Sequence, residues 1–261
     1  MIPVALTIAG SDPSGGAGLQ ADLKTFHQLG VYGMSVVTLL TVQNTVTVES
    51  VDPLEPDYVQ RQLAAVCSDI PPTAAKTGAL GTAGIIETVA KWAAQKPCPL
   101  VVDPVMISKH GRRLMAADAR ETLMKKLLPQ CALVTPNTPE AEDLAAMEIR
   151  SLEDMVEAGR RILALGPAAV LVKGGHLETG HNQAVDVLVT PEGEERFVSQ
   201  RYQTRHTHGA GCTYSAAITA GLARNLPFVQ AIAAAKKFIS EAIATAPGLG
   251  AGAGPLNHHA E

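Results

Sequence analysis

Apolar residues fall along this chain in two alternating patterns. Short, strongly apolar runs predict β-strands over residues 3–9, 33–40, 74–77, 100–103, 132–135 and 169–173. Between them, apolar positions recur at helical spacing over residues 18–29, 56–68, 82–95, 118–128 and 151–165. That alternation predicts βαβ units and a mostly parallel sheet with helices on both faces. Leu100-Val101-Val102 and Val170-Leu171-Val172 are apolar at every position, as strands covered on both faces should be. Residues 185–190 and 196–200 flank the turn-forming Pro191-Glu192-Gly193-Glu194 and predict a hairpin that breaks the parallel pattern. The last third turns helical over 211–224 and 227–245, before a Gly/Ala-rich tail at 247–254. No internal repeat and no long linker interrupt the chain, so one α/β domain over residues 1–261 is expected.

Composition narrows the function classes. The net charge of −4 comes from interspersed acids and bases, with no basic stripe for nucleic acid. Four Phe, four Tyr and one Trp leave little for a base-stacking platform. Every apolar run is strand-sized or interrupted by Gly and Thr, so no membrane span is expected. The first residues run directly into a strand with no basic leader, and Cys67, Cys98, Cys131 and Cys212 are too scattered for a zinc site. Reduced thiols in a cytoplasmic protein follow as the expectation.

The stretch Thr207-His208-Gly209-Ala210-Gly211-Cys212-Thr213 carries the most chemistry. Positive φ at Gly209 and Gly211 would turn successive N–H groups into one concavity, and the helix that follows adds its own unpaired N–H groups. Such a corner holds an anion, typically phosphate. On the first helical turn the Cys212 thiol is expected to be acidified and able to act as base or nucleophile. An inert glycine turn with a packed Cys is the competing reading of this motif taken alone.

Other candidates sit at strand ends, where ligands of open α/β sheets gather. The loop Gly10-Ser11-Asp12-Pro13-Ser14-Gly15-Gly16-Ala17-Gly18 fits a dinucleotide fingerprint only loosely, because it begins well past the strand and lacks the later acid. Asp22 is either a ligand acceptor or an acid near a helix start. Gln43 can donate and accept together, matching a heterocycle's ring nitrogen and amino edge, or simply form a polar turn with Asn44 and Thr45. Asp103 and Glu140 place carboxylates at the same edge, suited to a hard cation shared with phosphate and water. Lys173-Gly174-Gly175-His176 adds a cation there, and no Walker A loop exists.

Taken in order, these pieces resemble the ribokinase-like kinases, and among them the hydroxymethylpyrimidine/phosphomethylpyrimidine kinases of thiamine biosynthesis. The resemblance rests on residues 9–26, Gly33-Met34-Ser35, Val42-Gln43-Asn44-Thr45, Lys76-Thr77-Gly78, Asp103-Pro104-Val105-Met106, residues 135–141, residues 172–176, residues 208–213 and residues 254–258, nearly the whole chain. It implies a three-layer ribokinase-like fold, ATP and Mg²⁺ as cofactors, and a homodimer. Gly209, Ala210 and Gly211 would form the anion hole, with Cys212 as base where most ribokinase-like enzymes have Asp. Gly10, Asp22, Gln43 and Val105 would hold the pyrimidine. Asn137, Lys173, Thr207 and Lys236 would lie near ATP, and Asp103 and Glu140 would place Mg²⁺ through water. Two positions depart from the pattern. Ala79 stands where the family usually has Met, which enlarges the pocket, and Ala210 is Thr in many pyrimidine kinases but Ala in pyridoxal kinases related to them. Pyridoxal kinase, a sugar kinase on the same scaffold, and a catalytically silent ligand-binding protein are therefore the alternatives.

Overall fold

The computed structural model describes residues 2–95, 98–107, 111–112, 114–116, 118–175, 177 and 182–260; the predicted His176 lies outside them. A nine-stranded sheet forms the middle layer. Its parallel centre comprises β1 (Val4–Ser11), β2 (Tyr32–Gln43), β4 (Ala74–Thr77), β5 (Leu100–Val102), β6 (Leu133–Val134) and β7 (Val170–Lys173). Antiparallel strands finish both edges: β3 (Val48–Pro53) beside β2, and the hairpin β8 (Gln183–Thr190) and β9 (Gly193–Gln200) beside β7. The spatial order is β3-β2-β1-β4-β5-β6-β7-β8-β9, so the chain leaves β1 toward one side and later resumes on the other. The crevice beyond the strand ends at such a reversal is the usual ligand position.

Side-chain alternation builds the two flanking layers. Leu6 and Ile8, Leu100 and Val102, Val170 and Val172 face one core; Ala5, Val101 and Leu171 face the other. The first core is closed by α2 (Pro56–Asp69), α3 (Ala83–Ala93), α4 (Ala119–Thr122), α5 (Thr138–Ala145) and α6 (Leu152–Leu163). The second is closed by α1 (Gly18–Gln28), α7 (Ala210–Ala223) and α8 (Phe228–Ala244). Helix α7 is rich in small residues, with Ala216, Ala217, Ala220 and Ala223 all buried, which lets it lie deep against the sheet and α8.

Three elements differ from the sequence reading. Strand β3 was not expected, because Val48-Glu49-Ser50-Val51-Asp52-Pro53 is half polar and ends in Pro; its pairing to β2 at the outer edge makes it a strand. Helix α5 is short, and its start is fixed by a reciprocal cap, Glu140 N–H to the Asn137 side chain and Asn137 N–H to the Glu140 carboxylate, both 2.9 Å. The helix expected over 118–128 is only one α-helical turn, continuing as a π-helical segment at Leu123–Leu127 and a 3₁₀ turn at Leu128–Gln130 that contains Pro129.

Candidate active site

Strand ends and loops around the β1 reversal enclose a cavity of about 960 Å³, at the upper end of small-molecule sites. Gly10, Gln43, Ala79, Asp103, Val105, Asn137, Glu140, Lys173, Thr207, Gly209, Ala210, Gly211, Cys212 and Lys236 all line it. Asp22 does not. It lies behind the cavity wall with no exposed surface, its carboxylate held by Lys76 Nζ at 2.8 Å and Thr7 Oγ1 at 2.6 Å. The expected role as a ligand acceptor is therefore corrected: burial turns this acid inward, to balance an equally buried lysine.

The glycine corner has the expected position but a different construction. Gly209 has φ +80°, and a Cβ there would run into the Gly16 carbonyl oxygen, so only glycine fits. Gly211 is an ordinary helical residue of α7. Its missing side chain provides room instead, since a Cβ would stand 3.3 Å from Lys173 Nζ and 3.5 Å from Asp103 Oδ2. A cation thus stands beside the first turn of α7, whose free N–H groups favour an anion.

Cys212 also departs from expectation. Burial pushes its thiol up to about 12, against the pull of Lys76 and the Gly18 N–H, while Asp22 and Asp103 push it further. Loss of hydration outweighs the helix start, so the thiol is protonated at neutral pH. Lys76 is held protonated: burial opposes its charge, but Asp22, Cys212 and Asp103 together raise it above its ordinary value.

The two carboxylates expected at a metal are already partnered. Asp103 Oδ1 accepts from Lys173 Nζ at 2.9 Å and from Thr135 Oγ1 at 3.3 Å. Glu140 Oε2 is the cap acceptor described above, and burial raises this carboxyl to about 7, with Lys173 opposing and Asp103 reinforcing the rise. Among the described residues no group of three or more His, Cys, Asp or Glu side chains could hold a metal directly. The donor set suits a cation held through water, not a protein cage. Lys236 Nζ binds Asp186 at 2.6 Å and sits 5.9 Å from the centre of the Tyr214 ring, so this cavity cation is also balanced within the protein.

Sequence reasoning gave no role to Asp12, Lys76 or His208. Asp12 opens an Asp-Pro-Ser-Gly turn and its carboxylate accepts from Ser14 N at 2.9 Å, Gly16 N at 3.1 Å and Ala17 N at 2.8 Å. His208 Nε2 meets the same carboxylate at 2.8 Å. A lone Lys inside the apolar strand β4, and a His beside the glycine corner, were the available signals. Among the described residues, no helix is long and apolar enough to cross a membrane.

The profile of the phosphomethylpyrimidine kinase family matches residues 12–257. The hydroxymethylpyrimidine/phosphomethylpyrimidine kinase of Escherichia coli K12 is 48% identical over 258 residues, 97% of this chain and 96% of that protein. Its counterpart from Staphylococcus aureus Mu50 is 46% identical over 259 residues, 98% of this chain and 94% of that one. The thiamine biosynthesis bifunctional protein ThiED of Geobacter sulfurreducens is 48% identical over 97% of this chain, which spans 51% of that longer protein. Among solved structures, an ADP complex of Bacillus subtilis pyridoxal kinase superposes with TM-score 0.91 at 42% identity, covering 100% of this chain and 98% of that one. Staphylococcus aureus pyridoxal kinase with AMP-PCP and pyridoxal gives 0.90 at 36% identity, covering 100% and 95%. Phosphomethylpyrimidine kinase from Clostridium difficile 630 gives 0.81 at 44% identity, covering 93% and 100%.

Proposed function

The chain belongs to the phosphomethylpyrimidine kinase family, and from that membership we propose that it uses ATP to phosphorylate hydroxymethylpyrimidine, and then the resulting monophosphate, in thiamine biosynthesis. The observation that carries the reading is the opening of the Gly209-Ala210-Gly211-Cys212 corner into the same cavity as Gln43. One wall offers an anion site and a thiol; another offers an amide suited to a pyrimidine edge.

In the first step the acceptor hydroxyl oxygen forms a bond to the γ-phosphorus of ATP. The bond from that phosphorus to the bridging oxygen breaks, and ADP leaves. Gly209, Ala210, Gly211 and Lys173 stabilise charge on the moving phosphoryl group, the main demand of this chemistry. The hydroxyl proton goes to the Cys212 thiolate. Lys76 favours that thiolate against burial, so the small ionised fraction is the reactive one. In the second step the acceptor is a phosphate oxygen, already deprotonated near neutral pH, and no base is needed.

Gly10 and Val105 complete the acceptor pocket, with Ala79 as its enlarged side. Asp22 belongs to this site as a buried charge that holds Lys76 and acts on the Cys212 thiol. Asn137, Thr207 and Lys236 line the ATP side. Mg²⁺, when bound with ATP, neutralises phosphate charge, and Asp103 and Glu140 would hold its waters. A single kinase domain over residues 1–261, a homodimer and a cytoplasmic location extend the same reading.

Pyridoxal is the second substrate reading. Ala79 removes bulk from the acceptor pocket, and the pyridoxal kinases above are structural relatives over the whole chain. ATP consumption measured with hydroxymethylpyrimidine, its monophosphate and pyridoxal tests both. Turnover on the two pyrimidines is expected; turnover on pyridoxal alone would reverse the assignment, and none on any would indicate a silent binding protein.

A further inference from the structure

The acceptor side and the phosphate side of the cavity come from distant parts of the chain, and one buried contact joins them. Asp12 and His208 are 196 residues apart, and both are almost fully buried. Asp12 organises the β1 exit loop: its carboxylate collects the N–H groups of Ser14, Gly16 and Ala17 and the Ser14 hydroxyl. His208 is the residue before Gly209, and its own N–H donates to the Gly254 carbonyl at 3.1 Å. The two loops also interlock sterically. A Cβ on Gly16 would lie 2.6 Å from His208 Cδ2, and a Cβ on Gly209 would strike the Gly16 carbonyl. Burial alone would raise the Asp12 carboxyl, yet its hydrogen bonds with His208 and Ser14 hold it well below the usual carboxylate range. Asp12, Gln43, His208 and Gly209 all line the one cavity, so this buried contact stands between its acceptor side and the anion corner.

We propose that Asp12 and His208 are positioning residues, a clamp that fixes the distance between the acceptor loop and the Gly209-Ala210-Gly211 anion corner. The clamp rests on the kinase reading above. Each half keeps its own scaffold without it, Gln43 on β2 and Lys173 on β7. Breaking the clamp thus leaves each substrate's binding largely intact and misaligns the reacting atoms, and a displacement of about 1 Å costs about 10²-fold in rate.

The test is His208→Asn, too short to reach Asp12, beside His208→Gln, whose amide retains a donor at similar reach. With hydroxymethylpyrimidine and ATP, His208→Asn should lose about 10²-fold in kcat, with both KM values within roughly threefold of wild type. His208→Gln should restore most of the loss. An unchanged kcat, or a raised pyrimidine KM at constant kcat, overturns the clamp in favour of plain packing or direct substrate contact. Amide hydrogen exchange supplies a readout independent of substrate. In His208→Asn, and in Asp12→Asn should the first variant fold poorly, the amides of Gly16 and Ala17 and that of residue 208, bonded to the Gly254 carbonyl, should lose protection together; loosening of one loop alone overturns the proposal. If the wild type fails on pyrimidines, the functional reading fails, while the exchange result still decides the clamp.

Discussion

Asp22–Lys76 and Asp103–Lys173 are both Asp–Lys pairs beside Cys212, with nitrogen–oxygen separations of 2.8 and 2.9 Å, yet the first has no exposed side-chain surface and the second leaves 11% of its lysine open. The sealed pair cannot exchange partners, so it acts as a fixed ion pair beside the thiol, its lysine favouring the thiolate and its carboxylate opposing it. The open pair borders the cavity at Gly211, where, on the proposed kinase reading, an incoming phosphate would compete with Asp103 for the lysine. On that reading similar pair geometry would serve two purposes, with water access deciding which. Removing a partner of a sealed pair strands a charge in a dry site, whereas the cavity can partly rehydrate an open one.

Cys212, which interacts electrostatically with both lysines, gives the largest expected effect. Cys212→Ala should lower turnover in the first phosphorylation by about 10²- to 10⁴-fold, with little change in folding. Cys212→Asp should retain part of the rate. The second phosphorylation should suffer less in both variants, because its acceptor brings no proton to remove. Steady-state assays on the alcohol and on the monophosphate check this; equal losses in both steps would make Cys212 a packing residue. Alkylation followed by mass spectrometry should find Cys212 modified slowly at neutral pH, the rate still climbing beyond about pH 9. A plateau below that point would mean that the helix start, not burial, controls the thiol.

Next in size, Lys76→Met should cost about 3–5 kcal/mol of stability in urea unfolding, by stranding Asp22. Adding Asp22→Leu should recover most of it. A loss under about 1 kcal/mol, typical of a surface pair, would erase the distinction drawn between the two pairs. Lys173→Met should reverse the balance, with a smaller stability loss but turnover down about 10²- to 10³-fold, as for removal of one anion-hole donor. The smallest effect concerns the far wall. Ala79→Met should reduce any pyridoxal turnover about tenfold while changing pyrimidine turnover by less than roughly threefold. Equal loss of both, or no pyridoxal turnover in the parent, would remove Ala79 as a specificity determinant.

Local pattern was enough for much of the architecture and for the corner. Short continuous apolar strand runs, helical runs between them and the Gly-Ala-Gly-Cys sequence are properties of neighbouring residues, and each could be read without coordinates. Strand β3 could not, because an edge strand so polar is specified by its partner β2 and not by its own hydrophobicity. The thiol's pKa, the inward turn of Asp22 and the clamp between Asp12 and His208 were equally hidden. Asp22 meets Lys76 across 54 residues of sequence, and Asp12 meets His208 across 196. Charge state and reach depend on depth from water and on partners brought from elsewhere in the chain. The sequence by itself determined which groups stand at the strand ends; only the tertiary structure decided which of them are sealed, which are open, and which hold the two halves of the cavity together.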